Sequence, residues 1–303
     1  MQRVRFALAA ILVCAGYLVL PCTGPENRIL AIPQGRSPNV SVLFSVTEKE
    51  GNAVPNLKET DFRILEGGKS RTITSFANAS ASPLSVVLVV DKSGSTRDNT
   101  SEMAKVLDTS MQFFRSALKV GRDKIALIGF DALAAVDQDF TDNFAQLIQA
   151  INGTVSQPYG ATALHDALSK ASTLLAGRQG RRLILLVGDG EDNASRLSLE
   201  DAMKAVHKSD VQIVAISTGR RFTSPPNRGT EILERISEET GGRWFAFNDL
   251  KQFEKVRREL DAQYTIHYRS TNSKLDGKFR KIRVESVNKA YRIRHRAGYY
   301  PVW

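Results

Sequence analysis

The chain is expected to fold as an α/β protein: a doubly wound, mostly parallel six-stranded sheet with helices on both faces, inserted in a small β-module built from the two ends of the chain. Three observations predict this. Residues 86–90, 125–130, 183–187 and 211–216 are largely continuous apolar runs, the pattern of strands covered on both faces. The stretches between them place apolar residues on one helical face. On either side of this block the periodicity switches to two, as in half-buried strands. With 303 residues, 42% hydrophobic and 24% charged, the composition is globular and excludes disordered and fibrous classes.

From the start of the chain, Arg3 and Arg5 precede a charge-free apolar stretch over residues 6–20, broken by Pro21 and Pro25. Fifteen residues are short for a bilayer crossing, so residues 1–24 read as a secretory signal or N-terminal anchor. The expected location is secreted, periplasmic or envelope-anchored. The two cysteines, Cys14 and Cys22, both fall in this segment, which excludes a disulfide scaffold and a cysteine zinc site.

An N-terminal β segment follows over 38–77. Val40, Val42, Phe44 and Val46 alternate, as do Phe62 and Ile64, with turns at Gly51-Asn52 and Gly67-Gly68 and a further strand over 73–76. Residues 77–85 are small, polar and proline-containing, a domain boundary. The α/β domain is expected over 84–262. Met103, Val106, Leu107, Phe114 and Leu118 share one helical face, as do Leu164, Leu168, Ala171 and Leu175, and then Phe253, Val256 and Leu260. Ser198 with Asp201 three residues later reads as a capped helix start. Residues 134–140 form an edge strand and 243–247 the last strand of this sheet. Over 264–303, Tyr264, Ile266 and Tyr268, then Ile282 and Val284, then Tyr291 and Ile293 restore period two. Neither terminal group makes a stable sheet alone, so the two are expected to pair.

The net charge is +10, and residues 251–303 hold fourteen Lys and Arg against five Asp and Glu. These charges alternate with apolar residues, which favours the solvated faces of strands over a nucleic-acid or polymer surface.

The chemistry concentrates in three loops. Asp91-Lys92-Ser93-Gly94-Ser95 follows the first strand of the α/β domain, Gly160-Ala161-Thr162 precedes a helix, and Gly188-Asp189-Gly190-Glu191-Asp192-Asn193 follows the fourth strand. Strand-to-helix loops of a parallel sheet emerge on one edge. A strand order of 3-2-1-4-5-6 makes the first and fourth strands neighbours at the switch point, so the loops converge on one site. Asp91, Ser93, Ser95, Thr162 and Asp189 supply only hard oxygen donors, suited to Mg²⁺, with Mn²⁺ or Ca²⁺ as alternatives. Two carboxylates at most neutralise such an ion, which leaves it receptive to a Glu or Asp carboxylate from a partner protein.

These residues resemble the metal-ion-dependent adhesion site of von Willebrand factor type A domains. Asp91, Ser93 and Ser95 match its DxSxS element, Thr162 its threonine and Asp189 its last aspartate. The resemblance implies direct metal binding by the serines, direct or water-mediated binding by the threonine, and aspartates acting through water. A closer likeness, to bacterial secreted von Willebrand factor type A related proteins, extends to Val54-Pro55-Asn56-Leu57, Ile73-Thr74-Ser75-Phe76 and the 276–282 and 298–300 segments. Glu191 and Asp192 read either as second-sphere groups or as a solvated turn. Arg220, Arg221 and Arg228, after the fifth strand, are expected at the same edge, where they would attract an acidic partner.

The function expected is metal-dependent protein binding outside the cytoplasm. The alternatives are an assembly module of envelope complexes with vestigial metal binding, and anionic-polymer binding by the C-terminal strands. No enzymatic activity is expected. The four histidines are scattered, no GxGxxG follows the first strand, and no Walker-type loop occurs, so nucleotide ligands are not expected. Contact with a membrane is expected only through the N-terminal segment.

Overall fold

The computed structural model describes residues 38–301 apart from 94–99, 156–159, 219–227, 248, 250 and 275. The expected N-terminal leader over 1–24 lies outside the described residues. Among them, no helix is long and apolar enough to cross a membrane.

The chain first lays down β1 (Asn39–Thr47), β2 (Phe62–Glu66), β3 (Lys69–Arg71) and β4 (Ile73–Asn78). Gly67 and Gly68, both at positive φ, close the tight β2–β3 hairpin, with Glu66 paired to Lys69. A two-residue turn of this hand matches the strand twist and suits glycine. The chain then enters β5 (Leu84–Asp91), α1 (Thr100–Ala117), β6 (Lys124–Phe130), β7 (Ala134–Thr141), α2 (Phe144–Val155), α3 (Leu164–Ala176) and β8 (Arg181–Gly188). It continues through α4 (Leu199–Lys208), β9 (Gln212–Ser217), α5 (Arg228–Glu239), β10 (Arg243–Ala246) and α6 (Gln252–Asp261). It returns as β11 (Gln263–Arg269), β12 (Arg280–Ser286), β13 (Arg292–His295) and β14 (Gly298–Tyr299).

The central sheet runs β10-β9-β8-β5-β6-β7. Every neighbouring pair is parallel except β6 with the antiparallel edge strand β7. All eight residues of β5 are buried, because β5 is central and both of its faces are covered. Leu88, Val90 and Leu127 pack with Phe114 of α1, Leu147 of α2 and Val256 of α6 on one side. Val87, Val89 and Ile128 pack with Leu168 of α3, Val206 of α4 and Leu233 of α5 on the other. Each such fully buried aliphatic side chain contributes about 1.5–3 kcal/mol. The helices α2 and α5 go beyond those that the sequence periodicity named. The expected cap of α4 is present, with the Ser198 hydroxyl accepting from the Asp201 N–H at 3.1 Å.

The terminal strands form two four-stranded sheets, β13-β1-β11-β4 and β14-β12-β2-β3, around a shared core of Val42, Phe44, Ile64, Tyr264, Ile266 and Ile282. Phe44 lies opposite Tyr264 and Ile64 opposite Val284. Strands more than 200 residues apart thus complete one another, and the α/β domain is inserted between them. Lys281 and Arg283 are exposed while Ile282 and Val284 are buried, so these basic residues form the wet face of β12.

Arg181 clamps both crossings between the two parts. Its buried guanidinium donates to the Leu260 carbonyl at 2.6 Å and to Gln263 Oε1 on the outgoing segment, and to the Ser80 and Ser82 carbonyls on the incoming one.

Candidate metal site at the carboxyl edge of the sheet

Asp91 closes β5 and Gly188 closes β8, and the two strands are neighbours at the switch point of the sheet. Asp91 is 1% exposed. Its Oδ1 accepts the Ser93 N–H at 2.8 Å, an Asx turn that folds the chain back over the carboxylate. Gly188 lies so close that a Cβ there would sit 2.9 Å from Asp91 Cβ. Asp189, next in the chain, is 9% exposed and receives the Glu191 N–H on its Oδ1 at 3.0 Å. Gly190 has φ +83°, and a Cβ there would collide with the Gly229 carbonyl oxygen. The loop that carries Asp189 is therefore seated on the first turn of α5.

Thr162 reaches the same edge through neighbouring loops. The Ala163 N–H donates to the Asp131 carbonyl at 2.7 Å, just past β6. The Asp131 side chain in turn pairs with Lys92, between Asp91 and Ser93, at 3.3 Å. On the other side Asn193 holds Thr162 twice: its Oδ1 accepts the Thr162 N–H at 2.8 Å, and its own N–H donates to the Thr162 carbonyl at 2.9 Å. The structure thus brings Asp91, Ser93, Thr162 and Asp189 to one edge. Ser95, Arg220 and Arg221 lie outside the described residues. Arg228 is exposed on the first turn of α5, next to the glycine that supports Asp189.

Of the two acidic residues after Asp189, Glu191 is exposed and Asp192 is a tether rather than a solvated turn. Asp192 Oδ2 accepts the His165 N–H at 3.0 Å and the Ser195 hydroxyl at 2.6 Å. Ser195 Oγ in turn accepts the Asp166 N–H at 3.1 Å. These bonds satisfy backbone donors at the start of α3 that the helix leaves free. The His165 ring faces the Leu197 carbonyl at 3.1 Å, so it braces the same loop. Asn193 and Asp131 were not among the candidates. Asn193 stands within the quoted loop motif, whereas Asp131 acts through a carbonyl that no side-chain pattern reveals.

The electrostatics favour a cation. Burial pushes the Asp91 carboxyl up to about 7, with the Asp189 charge adding to the rise, although hydrogen bonds from Ser93 favour the charged form. Its Oδ2 is buried and makes no hydrogen bond among the described residues. Such an orphaned carboxylate oxygen is costly unless an ion or donor meets it. Thr162 is not spent on capping: the N-cap position of α3 is Ala163, with no side-chain cap hydrogen bond. No group of three or more His, Cys, Asp or Glu gathers to hold a metal among the described residues. A cation at this edge would therefore depend on a mixed set of hydroxyls and carboxylates, which the residues present fit.

The model of the von Willebrand factor type A domain matches residues 85–259, from β5 into α6 and more than half of the chain. This chain belongs to the von Willebrand factor type A domain family. Domains of this family bind protein partners. Among solved structures, the von Willebrand factor type A fold of this chain is similar to proximal thread matrix protein 1 from the mussel byssus. The two share 22% identity at a TM-score of 0.52, over 65% of this chain and 51% of that one. The same mussel protein with a zinc-occupied MIDAS motif matches at 21% identity and a TM-score of 0.52, over 65% and 50%. An aerotolerance-related membrane protein from Bacteroides fragilis matches at 18% identity and a TM-score of 0.46, over 59% and 98%. The chain spans about half the length of the mussel protein. No curated protein matches it.

Proposed function

We propose that this chain is a protein-binding module that works outside the cytoplasm and depends on a divalent cation. Asp91, Ser93, Ser95, Thr162 and Asp189 would hold the ion, Mg²⁺ first and Mn²⁺ or Ca²⁺ as substitutes. A bound cation of this kind supplies a Lewis-acidic position for a Glu or Asp carboxylate of the partner. The observation that carries the reading is the buried Oδ2 of Asp91, unpartnered among the described residues, at the edge where Thr162 and Asp189 also arrive. The zinc-occupied MIDAS motif of the mussel protein supports the same chemistry on this fold. His165 Nδ1 is engaged by the Leu197 carbonyl and lies 3.6 Å from Asp192, which braces the loop beside the site. The apolar stretch over residues 6–20 supports the extracytoplasmic placement. Arg228, with Arg220 and Arg221, would draw an acidic partner toward the ion.

Titration calorimetry with Mg²⁺, Mn²⁺ and Ca²⁺ tests the reading. The wild-type chain should take up a divalent cation and Asp91→Ala should not, with the circular dichroism spectrum unchanged. Capture of a partner from envelope extract should require Mg²⁺ and fail in chelator. Absence of uptake by the wild-type chain for all three ions overturns the proposal.

A further inference from the structure

One more oxygen at the site's edge is buried and unused. Thr218 is the first residue past β9 and is 2% exposed. Its N–H donates to the Gly188 carbonyl at 2.9 Å, and Gly188 lies opposite Ser217 in the parallel ladder. Thr218 therefore stands beside Asp189, one strand along the sheet on the side away from Asp91. Its Oγ1 is buried and makes no hydrogen bond among the described residues. Among the described residues, the other buried hydroxyls of serine and tyrosine without a partner, at Ser45, Ser237, Tyr268 and Ser286, belong to the terminal strands or to the far half of α5. A hydroxyl left unpaired in a packed interior costs stability that a valine of the same shape avoids. Two residues whose buried oxygens have unspent hydrogen-bonding capacity among the described residues, Asp91 and Thr218, thus stand at the ends of the strands on either side of β8.

We propose that Thr218 belongs to the metal site as an outer-sphere positioning residue, whose hydroxyl engages the Asp189 carboxylate or its solvent when the site is loaded. The inference rests on the metal-binding reading above and extends it to a residue outside the adhesion-site pattern. A hydroxyl both donates and accepts, so it can bridge a carboxylate and a water, which the Thr218 methyl cannot. Outer-sphere partners of this kind set ligand orientation and shift metal affinity by about 10–100-fold.

The test is Mn²⁺ and Mg²⁺ calorimetry on the full chain with Thr218→Val and Thr218→Ser, alongside thermal melts in chelator. Thr218→Val should bind the ions about tenfold more weakly while melting no lower than wild type without metal, because it removes only the unpaired hydroxyl. Thr218→Ser keeps the hydroxyl and should bind as wild type does. Wild-type affinity in Thr218→Val overturns this inference alone. So does an equal loss in both variants, since the methyl and its packing would then be responsible. A wild-type chain that takes up no cation overturns both this inference and the proposed function.

Discussion

Replacing Asp91 with asparagine should make the metal-free protein more stable while abolishing its response to divalent cations. The Asp91 carboxyl starts from 3.8 and is pushed to about 7 in the fold by burial, with Asp189 adding to the effect and Ser93 opposing it. The folded value lies above the unfolded one, so the native state keeps a proton that the unfolded chain has already released. Stability therefore falls as pH rises from about 4 to about 7 and levels off above that window. A gap of about three units amounts to about 4 kcal/mol once fully expressed. Asparagine keeps the acceptor for the Ser93 N–H but places amide hydrogens where Oδ2 has no partner, which costs about 1–3 kcal/mol. The net gain is about 1–3 kcal/mol at neutral pH, or about 2–5 °C in melting temperature for a chain of this size. The assay is a thermal melt in chelator at about pH 4.5 and about pH 7.5, bracketing the window. The wild type should lose stability between the two relative to Asp91→Asn. Adding Mg²⁺ at about a hundred times its Kd should then restore about 2.7 kcal/mol to the wild type and nothing to the variant. Equal pH slopes in the two proteins, or a lower melting temperature for Asp91→Asn at neutral pH, would refute the reasoning.

Two further outcomes follow from single residues. Arg181→Met should destabilise the fold by about 2–4 kcal/mol, because the Ser80, Ser82 and Leu260 carbonyls lose a buried charged donor; urea unfolding should show a lower midpoint at an unchanged slope. Gly190→Ala should cost about 2 kcal/mol or more, since alanine is strained at φ +83° and its Cβ meets the Gly229 carbonyl. Calorimetry on the same variant should show weaker Mn²⁺ uptake, because Asp189 shifts with its loop.

The architecture was legible where physics is local. The runs at 86–90 and 183–187 are apolar throughout because both faces of β5 and β8 are covered, and covered strands need no alternation. Ser198 with Asp201 marked a helix start because capping involves residues three apart. The helices α2 and α5 carry apolar spacing of the same kind, at Phe144, Leu147, Ile148 and Ile151 and at Ile232, Leu233 and Ile236, and these residues pack on opposite faces of the central sheet. Asp192 shows the opposite difficulty: an acidic residue in a polar loop looks solvated until the backbone N–H of His165, 27 positions earlier, is seen to reach it.

The sequence by itself determined the strand and helix order and the types of oxygen donor, since periodicity and residue chemistry are properties of neighbouring positions. Only the tertiary structure decided that Asp91 Oδ2 is buried without a partner among the described residues, that Asn193 and Asp131 hold the Thr162 loop, and that Arg181 binds both crossings to the β-module. Those facts depend on which distant backbone groups come within hydrogen-bond reach. That reach is set by how strands stack along the sheet, and no local pattern encodes it.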